Sequence, residues 1–157
     1  PDNGPPEIVD TAKRDLLAEL LADVGDEPVV IFARFTADMD AIRGACAQNR
    51  IECLEHSGRD HAGLPAWQRG LGQALAVQIQ AGGEGIDLTR AALCIYYSKG
   101  FSLGDYTQSL ARTHRPGQKR PVTYYHLLIE DSVDQKVEWA LAMRKSVVES
   151  VMEAMRK

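Results

Sequence analysis

Nowhere in these 157 residues does a Gly-Lys dipeptide occur, and the pattern GxxxxGK[ST] is absent with it. The chain therefore builds no phosphate-binding loop of its own. Cysteine is scarce: Cys46, Cys53 and Cys94 are odd in number and form no CxxC pair, which speaks against a disulfide framework and for reduced, mostly buried thiols. Cys53-x-x-His56 with His61 nearby lacks a fourth ligand and a paired knuckle, so no metal site is expected. No charged apolar leader and no run of eighteen apolar residues is present. With proline at position 1, the sequence reads as a soluble fragment cut from a longer intracellular, cytoplasmic protein with no membrane partner. An excess of positive charge is missing too. The formal charge of −4 and pI near 5.6 exclude gripping nucleic acid by bulk potential, so any such contact must be local.

What is present is an alternation of short apolar runs with amphipathic stretches, and 45% hydrophobic content suffices for one domain with a core. "PDNGPP" (1–6) has linker composition, and the following stretch places Ile8, Ala12, Leu16, Leu17, Leu20, Leu21 and Val24 at helical spacing. "VVIFARF" reads as a buried strand and "TADMDAIRGACAQN" as a helix. "IECLEHS" and "ALAVQIQ" are further strands, separated by a short helix in "GLPAWQRGLG". A fourth strand in "AALCIYYS", a helix from about Leu103 to Thr113 and a fifth strand in "PVTYYHLLI" follow. Ser132 and Gln135 form a capping-box pattern opening a long last helix to about Met155, with Val133, Val137, Leu141, Val148, Val151, Met152 and Met155 on one face. The fold class is α/β, a mainly parallel sheet covered by helices on both faces. Ligands of such sheets gather at the carboxyl ends of strands, where "AGGEGIDL", "SKGFS" and the loop after "ARF" fall.

Two of these loops carry chemistry. Three glycines in four positions after "QIQA" let the backbone approach a phosphate or a nucleic-acid backbone, and Asp87 follows where it can accept from a sugar hydroxyl. The same turn can be purely structural. In "QSLARTHRPGQKR" the arginines Arg112 and Arg115 are three apart, share a face if helical, and can converge on one polyanion, with Gln108 four residues earlier on that face. A solvated basic helix end is the plainer reading of this stretch. Trp67, Trp139, Met143, Met152 and Met155 read as packing residues, and His126 as a satisfied core histidine.

In this order and spacing the segments resemble motifs V and VI of the Swi/Snf-type ATPases of helicase superfamily two. Ala81 to Leu88 match the alanine-glycine-glycine-x-glycine, aliphatic, Asn or Asp, leucine pattern; Gln108, Arg112, Arg115, Gly117 and Gln118 match motif VI. "PVVIFARFTADMDAI" is similar to motif IV, and "PPEIVDTAKRDLLAELL" resembles the lead-in helix, so the likeness covers essentially the whole chain. The resemblance implies the second, C-terminal RecA-like lobe (residues 7–157) of a DNA-dependent ATPase or helicase: a three-layer αβα sandwich without the phosphate loop. It implies that ATP and Mg2+ are used only in the complete protein, between this lobe and a missing N-terminal lobe, with double-stranded DNA as partner. Arg115 and Arg112 would be catalytic, Gln108, Gly85 and Asp87 would line the ATP cleft, and Gln78, Gly82, Gly83 and Arg34 would face the DNA backbone. The fragment alone is expected to be inactive and to hold no cofactor tightly.

Departures from the pattern qualify this. Gln78 stands where a Ser or Thr commonly begins motif V, "HSG" at 56–58 replaces an aspartate-like element, and "YYSKGFSLGDY" replaces the usual Trp-Asn-Pro stretch, a variant that looks like compact forms of bacteriophages and prophages. No aliphatic strand ends in a DExH-like quartet. A non-enzymatic module binding nucleic acid or protein through the basic loop 112–120 is the alternative. A self-contained dinucleotide enzyme lacks the GxGxxG fingerprint.

Overall fold

The computed structural model describes residues 6–79, 86–98, 103–113 and 115–127. Gly82, Gly83, Gly85, His114 and the stretch from Ser132 to Met155, with Trp139 and Met143, lie outside the described residues. Helix α1 (Pro6–Leu21) starts within the six residues assigned to a linker by composition, because proline's fixed φ suits the first helical position. Its buried stripe is Lys13, Leu17 and Leu21, four residues apart, whereas Leu16, expected on the apolar face, is 37% exposed. Lys13 takes the inward place by laying its stem along the core and setting its ammonium 5.2 Å from the Tyr97 ring.

Strands β1 (Val29–Ala33), β2 (Cys53–His56), β3 (Ala74–Gln78), β4 (Leu93–Tyr96) and β5 (Thr123–His126) pair in the order β2-β3-β1-β4-β5, and every pairing is parallel. The two-residue period of the strands sorts the core into two halves. Val29, Ile31, Ala33, Ala74, Ala76 and Ile95 meet α1 and the buried Met39, Ile42, Ala45 and Cys46 of α2 (Thr36–Gln48). Val30, Phe32, Leu75, Val77, Cys94 and Tyr96 meet Leu64 and Trp67 of α3 (Gly63–Gln68), with Tyr106 and Leu110 of α4 (Leu103–Thr113) packed against them. The αβα layering expected from the sequence is thus present. β5 departs from the expectation of a strand buried throughout: it is the sheet edge, and Thr123 and Tyr125 point to solvent. All three cysteines are free and buried, and burial pushes the Cys94 thiol up to about 12. No helix among the described residues is long and apolar enough to cross a membrane.

The winding of the sheet reverses between the neighbouring strands β1 and β4, since the chain leaves β1 toward β2 but leaves β4 toward β5. The β3-to-β4 connection, which contains the glycine-rich turn, crosses β1 to make that reversal. A doubly wound sheet opens its ligand crevice at such a point, on the carboxyl edge.

Candidate functional site on the carboxyl edge of the sheet

Helix α4 is fixed from below by a run of hydroxyls. Buried Tyr96 lies between Phe32 and His126, with ring centroids at 5.0 and 4.9 Å, and its hydroxyl pairs with Ser109 Oγ at 2.5 Å. Thr113, at the helix end and fully buried, meets Cys94 Sγ at 3.4 Å and Tyr124 Oη at 3.3 Å. His126, expected in the core, is half-buried on the edge strand, with Nε2 3.4 Å from the Tyr106 hydroxyl. These contacts set the height and rotation of α4, so Gln108, exposed, and Arg112, half-buried, share the outward part of its last two turns.

Arg115 is not on that helix. α4 ends at Thr113, because the residue before a proline is disfavoured in the helical region and Pro116 follows. The chain instead turns through Arg115-Pro116-Gly117-Gln118. Gly117 has φ +101°, and Gln118 N–H donates to the Arg115 carbonyl at 3.0 Å, as in a turn with proline second and glycine third. The helical face expected to unite the two arginines is therefore replaced by a turn that carries Arg115 back over the exit of the glycine-rich segment.

At that exit the two motifs meet. Arg115 Nη1 donates to the Ile86 carbonyl at 3.1 Å, and Leu88 N–H donates to the Arg112 carbonyl at 3.0 Å. Between them Asp87 is exposed; its Oδ1 accepts from the Thr89 hydroxyl at 2.6 Å and the Thr89 amide at 2.8 Å. Those two donors, with the Arg115 charge nearby, hold the Asp87 carboxyl below its usual range. A cavity of about 490 Å³ opens beside it, lined by Gln68, Asp87, Thr89 and Arg90, and Gln68 Nε2 closes on the Asp87 carbonyl at 2.8 Å. The Arg115 side chain, Asp87 and the backbone of Arg112 thus meet at one place. The rest of the basic loop is partly neutralised: Arg120 pairs with Glu27 at 2.9 Å and donates to the Arg90 carbonyl at 3.1 Å.

Arg34 and Gln78 belong to a second patch, at the ends of β1 and β3. The Gln78 amide ties three loops together, accepting from Gly58 N–H at 2.9 Å and donating to the Arg34 carbonyl at 3.2 Å and Thr36 Oγ1 at 3.4 Å. The Arg34 guanidinium lies 5.1 Å from the ring of Phe35, which is 54% exposed. Two residues without a site role in the sequence reading close the crevice between β1 and β4. Ser98 Oγ accepts from Arg34 N–H at 2.8 Å and donates to Asp38 Oδ2 at 2.6 Å. Sixty positions separate Ser98 from Asp38, and only the parallel pairing of β1 with β4 brings them together. Gln118, matched to the motif but given no role, proves the most connected amide of the patch: Nε2 reaches the carbonyls of Ala91, Thr89 and Thr113 at 2.9, 3.1 and 3.3 Å.

Comparison with known proteins agrees with this fold. Among solved structures, the C-terminal part of the Fun30 ATPase domain superposes with a TM-score of 0.75 at 24% identity, covering 88% of this chain and 47% of that one, and the fold is accordingly RecA-like. The chain is 30% identical over 154 residues to the chromatin-remodeling ATPase INO80 of Vanderwaltozyma polyspora, covering 93% of this chain and 10% of that protein. It is 22% identical over 160 residues to an uncharacterized ATP-dependent helicase of Mycoplasma pneumoniae, covering 97% of this chain and 16% of that protein. The chain therefore spans about a tenth to a sixth of the length of these relatives. Residues 12–117 match the model of the helicase conserved C-terminal domain, and the chain belongs to that family.

Proposed function

We propose that this chain is the second motor lobe of a Swi/Snf-type, DNA-stimulated ATPase that moves along double-stranded DNA. The observation that carries the reading is the meeting of the two motifs around Asp87: the Arg115 guanidinium bonds the Ile86 carbonyl, and the Leu88 N–H bonds the backbone carbonyl of Arg112. The likeness to a chromatin-remodeling ATPase and to an ATP-dependent helicase supports ATP as substrate.

The chemistry this lobe supplies is positive charge. One N–H of Arg115 is used on Ile86, which leaves the rest of the guanidinium fork for phosphate oxygens while its swing is restricted. In that role Arg115 stabilises charge on the transferred phosphoryl group, and Arg112 makes a second phosphate contact. Gln108 and Asp87 line the nucleotide cleft, the role the motif also assigns to Gly85. The phosphate loop and the carboxylates for Mg2+ belong to an N-terminal lobe, so this lobe alone neither positions nor hydrolyses ATP. Arg34 and Gln78 face the DNA backbone, the role the motif also assigns to Gly82 and Gly83, and Phe35 beside Arg34 adds an apolar surface for the sugars. The compact phage or prophage type rests on the Tyr96–Tyr106 stretch followed by "RTHRPGQKRPV" at 112–122.

The test compares ATP turnover by the full-length protein, with and without duplex DNA, with turnover by this chain alone. The reading requires DNA-stimulated hydrolysis in the first and none in the second. Salt-dependent DNA binding by this chain, with no ATPase in the full-length protein, would favour the binding module instead.

A further inference from the structure

The carboxamide of Gln118 has no exposed business: its Nε2 donates to the carbonyls of Ala91, Thr89 and Thr113, and its Oε1 accepts from Arg120 N–H at 3.1 Å. An amide has two N–H groups, so three carbonyl acceptors use both, one of them shared. Those carbonyls lie on two separate segments. Thr113 is the last residue of α4, whereas Thr89 and Ala91 follow Asp87 on the way to β4. Gln118 is also the far corner of the turn that begins at Arg115, through its N–H on the Arg115 carbonyl. One turn therefore holds the 86–91 segment at two points: by the Arg115 side chain on Ile86 at one corner and by the Gln118 side chain on Thr89 and Ala91 at the other. Pro116 fixes one central φ and the Gln118 N–H to Arg115 carbonyl bond closes the turn, so fixing one corner restrains the other.

From this we infer that Gln118 is a positioning residue for Arg115, setting where the guanidinium stands relative to the nucleotide; the inference rests on the arginine-finger role proposed above. Without the amide, the turn keeps its own shape but is no longer registered on the segment beneath, and Arg115 retains only its single bond to Ile86. A guanidinium that acts on a transition state by placement loses about a hundredfold in rate when displaced by about 1 Å. The loss should fall on the chemical step, since the Gln118 amide is spent on bonds within the domain.

The experiment is a double-mutant cycle on the full-length protein, measuring kcat and KM for ATP in saturating duplex DNA for wild type, Gln118→Ala, Arg115→Ala and the pair, with thermal melting of each. Gln118→Ala should lower kcat about a hundredfold with KM within a few-fold of wild type, and should cost nothing further once Arg115 is absent. A role confined to stability would lower the melting temperature and reduce the rate by the same factor with or without Arg115. If Gln118→Ala gives no cooperative melt, Gln118→Met, which keeps length and bulk but has no amide, takes its place in the cycle. A kcat within threefold of wild type, or a loss that multiplies with that of Arg115→Ala, overturns the inference. A wild-type rate for Arg115→Ala would overturn the finger role itself, and the positioning role with it.

Discussion

Arg115 and Ile86, 29 positions apart, are joined by a bond from the guanidinium to a backbone carbonyl at 3.1 Å. The acceptor is a backbone atom, so the contact fixes the arginine without neutralising it. Asp87 next door is exposed and already shared with Thr89, and it adds an attractive field without claiming the guanidinium as an ion-pair partner. An arginine held in this way keeps its charge available, as the proposed finger role requires.

Acid should unfold this domain through Glu55. The carboxylate is 2% exposed at the end of β2; Arg59 at 2.7 Å, Ser57 at 2.5 Å and Arg43 at 3.1 Å hold it at about 2, against an ordinary 4.5. A carboxyl lowered in the folded state stabilises above its unfolded pKa, and that stability disappears as pH falls from about 4.5 to 2. The shift corresponds to about 3 kcal/mol. Urea unfolding across this range should show the loss in wild type, and Glu55→Gln should be weaker at pH 7 and nearly flat through the same window.

Gly63 sets the distance between α3 and β2. A Cβ there would lie 2.3 Å from the Glu55 carbonyl oxygen and 2.7 Å from its nitrogen, both backbone atoms that cannot swing away. Gly63→Ala should therefore destabilise by about 3 kcal/mol, seen as a lower urea midpoint with an unchanged slope.

Arg90 should matter for stability although it sits beside the cleft. Its guanidinium lies 5.0 Å from the Trp67 ring and donates to the carbonyls of Trp67 at 2.7 Å, Gly72 at 2.8 Å, Leu71 at 3.2 Å and Gly70 at 3.5 Å. Arg90→Ala is expected to cost about 3 kcal/mol. Lysine should recover less than half, because one ammonium cannot serve carbonyls spread around a planar fork. Thermal melting of the two variants decides it.

Most of this architecture could be read before any coordinates, and the parts that could not share a cause. The central strands β1, β3 and β4 are marked by short apolar runs between turn residues, because a parallel strand buried on both faces must be apolar along its length. By contrast, β2 carries Glu55 and His56, and β5 is half exposed at the edge. Arg112, Arg115 and Asp87 were identifiable by motif spacing. Their convergence was legible only as an expectation about a helix, and that helix stops two residues too soon for Arg115. The Arg-Pro-Gly-Gln turn was the signal that could have placed it, since proline and glycine at its centre specify a chain reversal. Lys13 in place of Leu16 depended on Tyr97, 84 residues away, and Ser98 with Asp38 depended on the β1–β4 pairing. Local pattern cannot carry such long-range pairings.

The central claim is that the patch around Arg115 completes an ATP site formed with another lobe. Its most direct measurement is kcat for ATP hydrolysis by the full-length protein in saturating duplex DNA, wild type against Arg115→Ala, with thermal melting to confirm that both are folded. The account predicts a fall of about a thousandfold or more in kcat with the melting temperature unchanged; a folded Arg115→Ala protein that turns over ATP at the wild-type rate would contradict it.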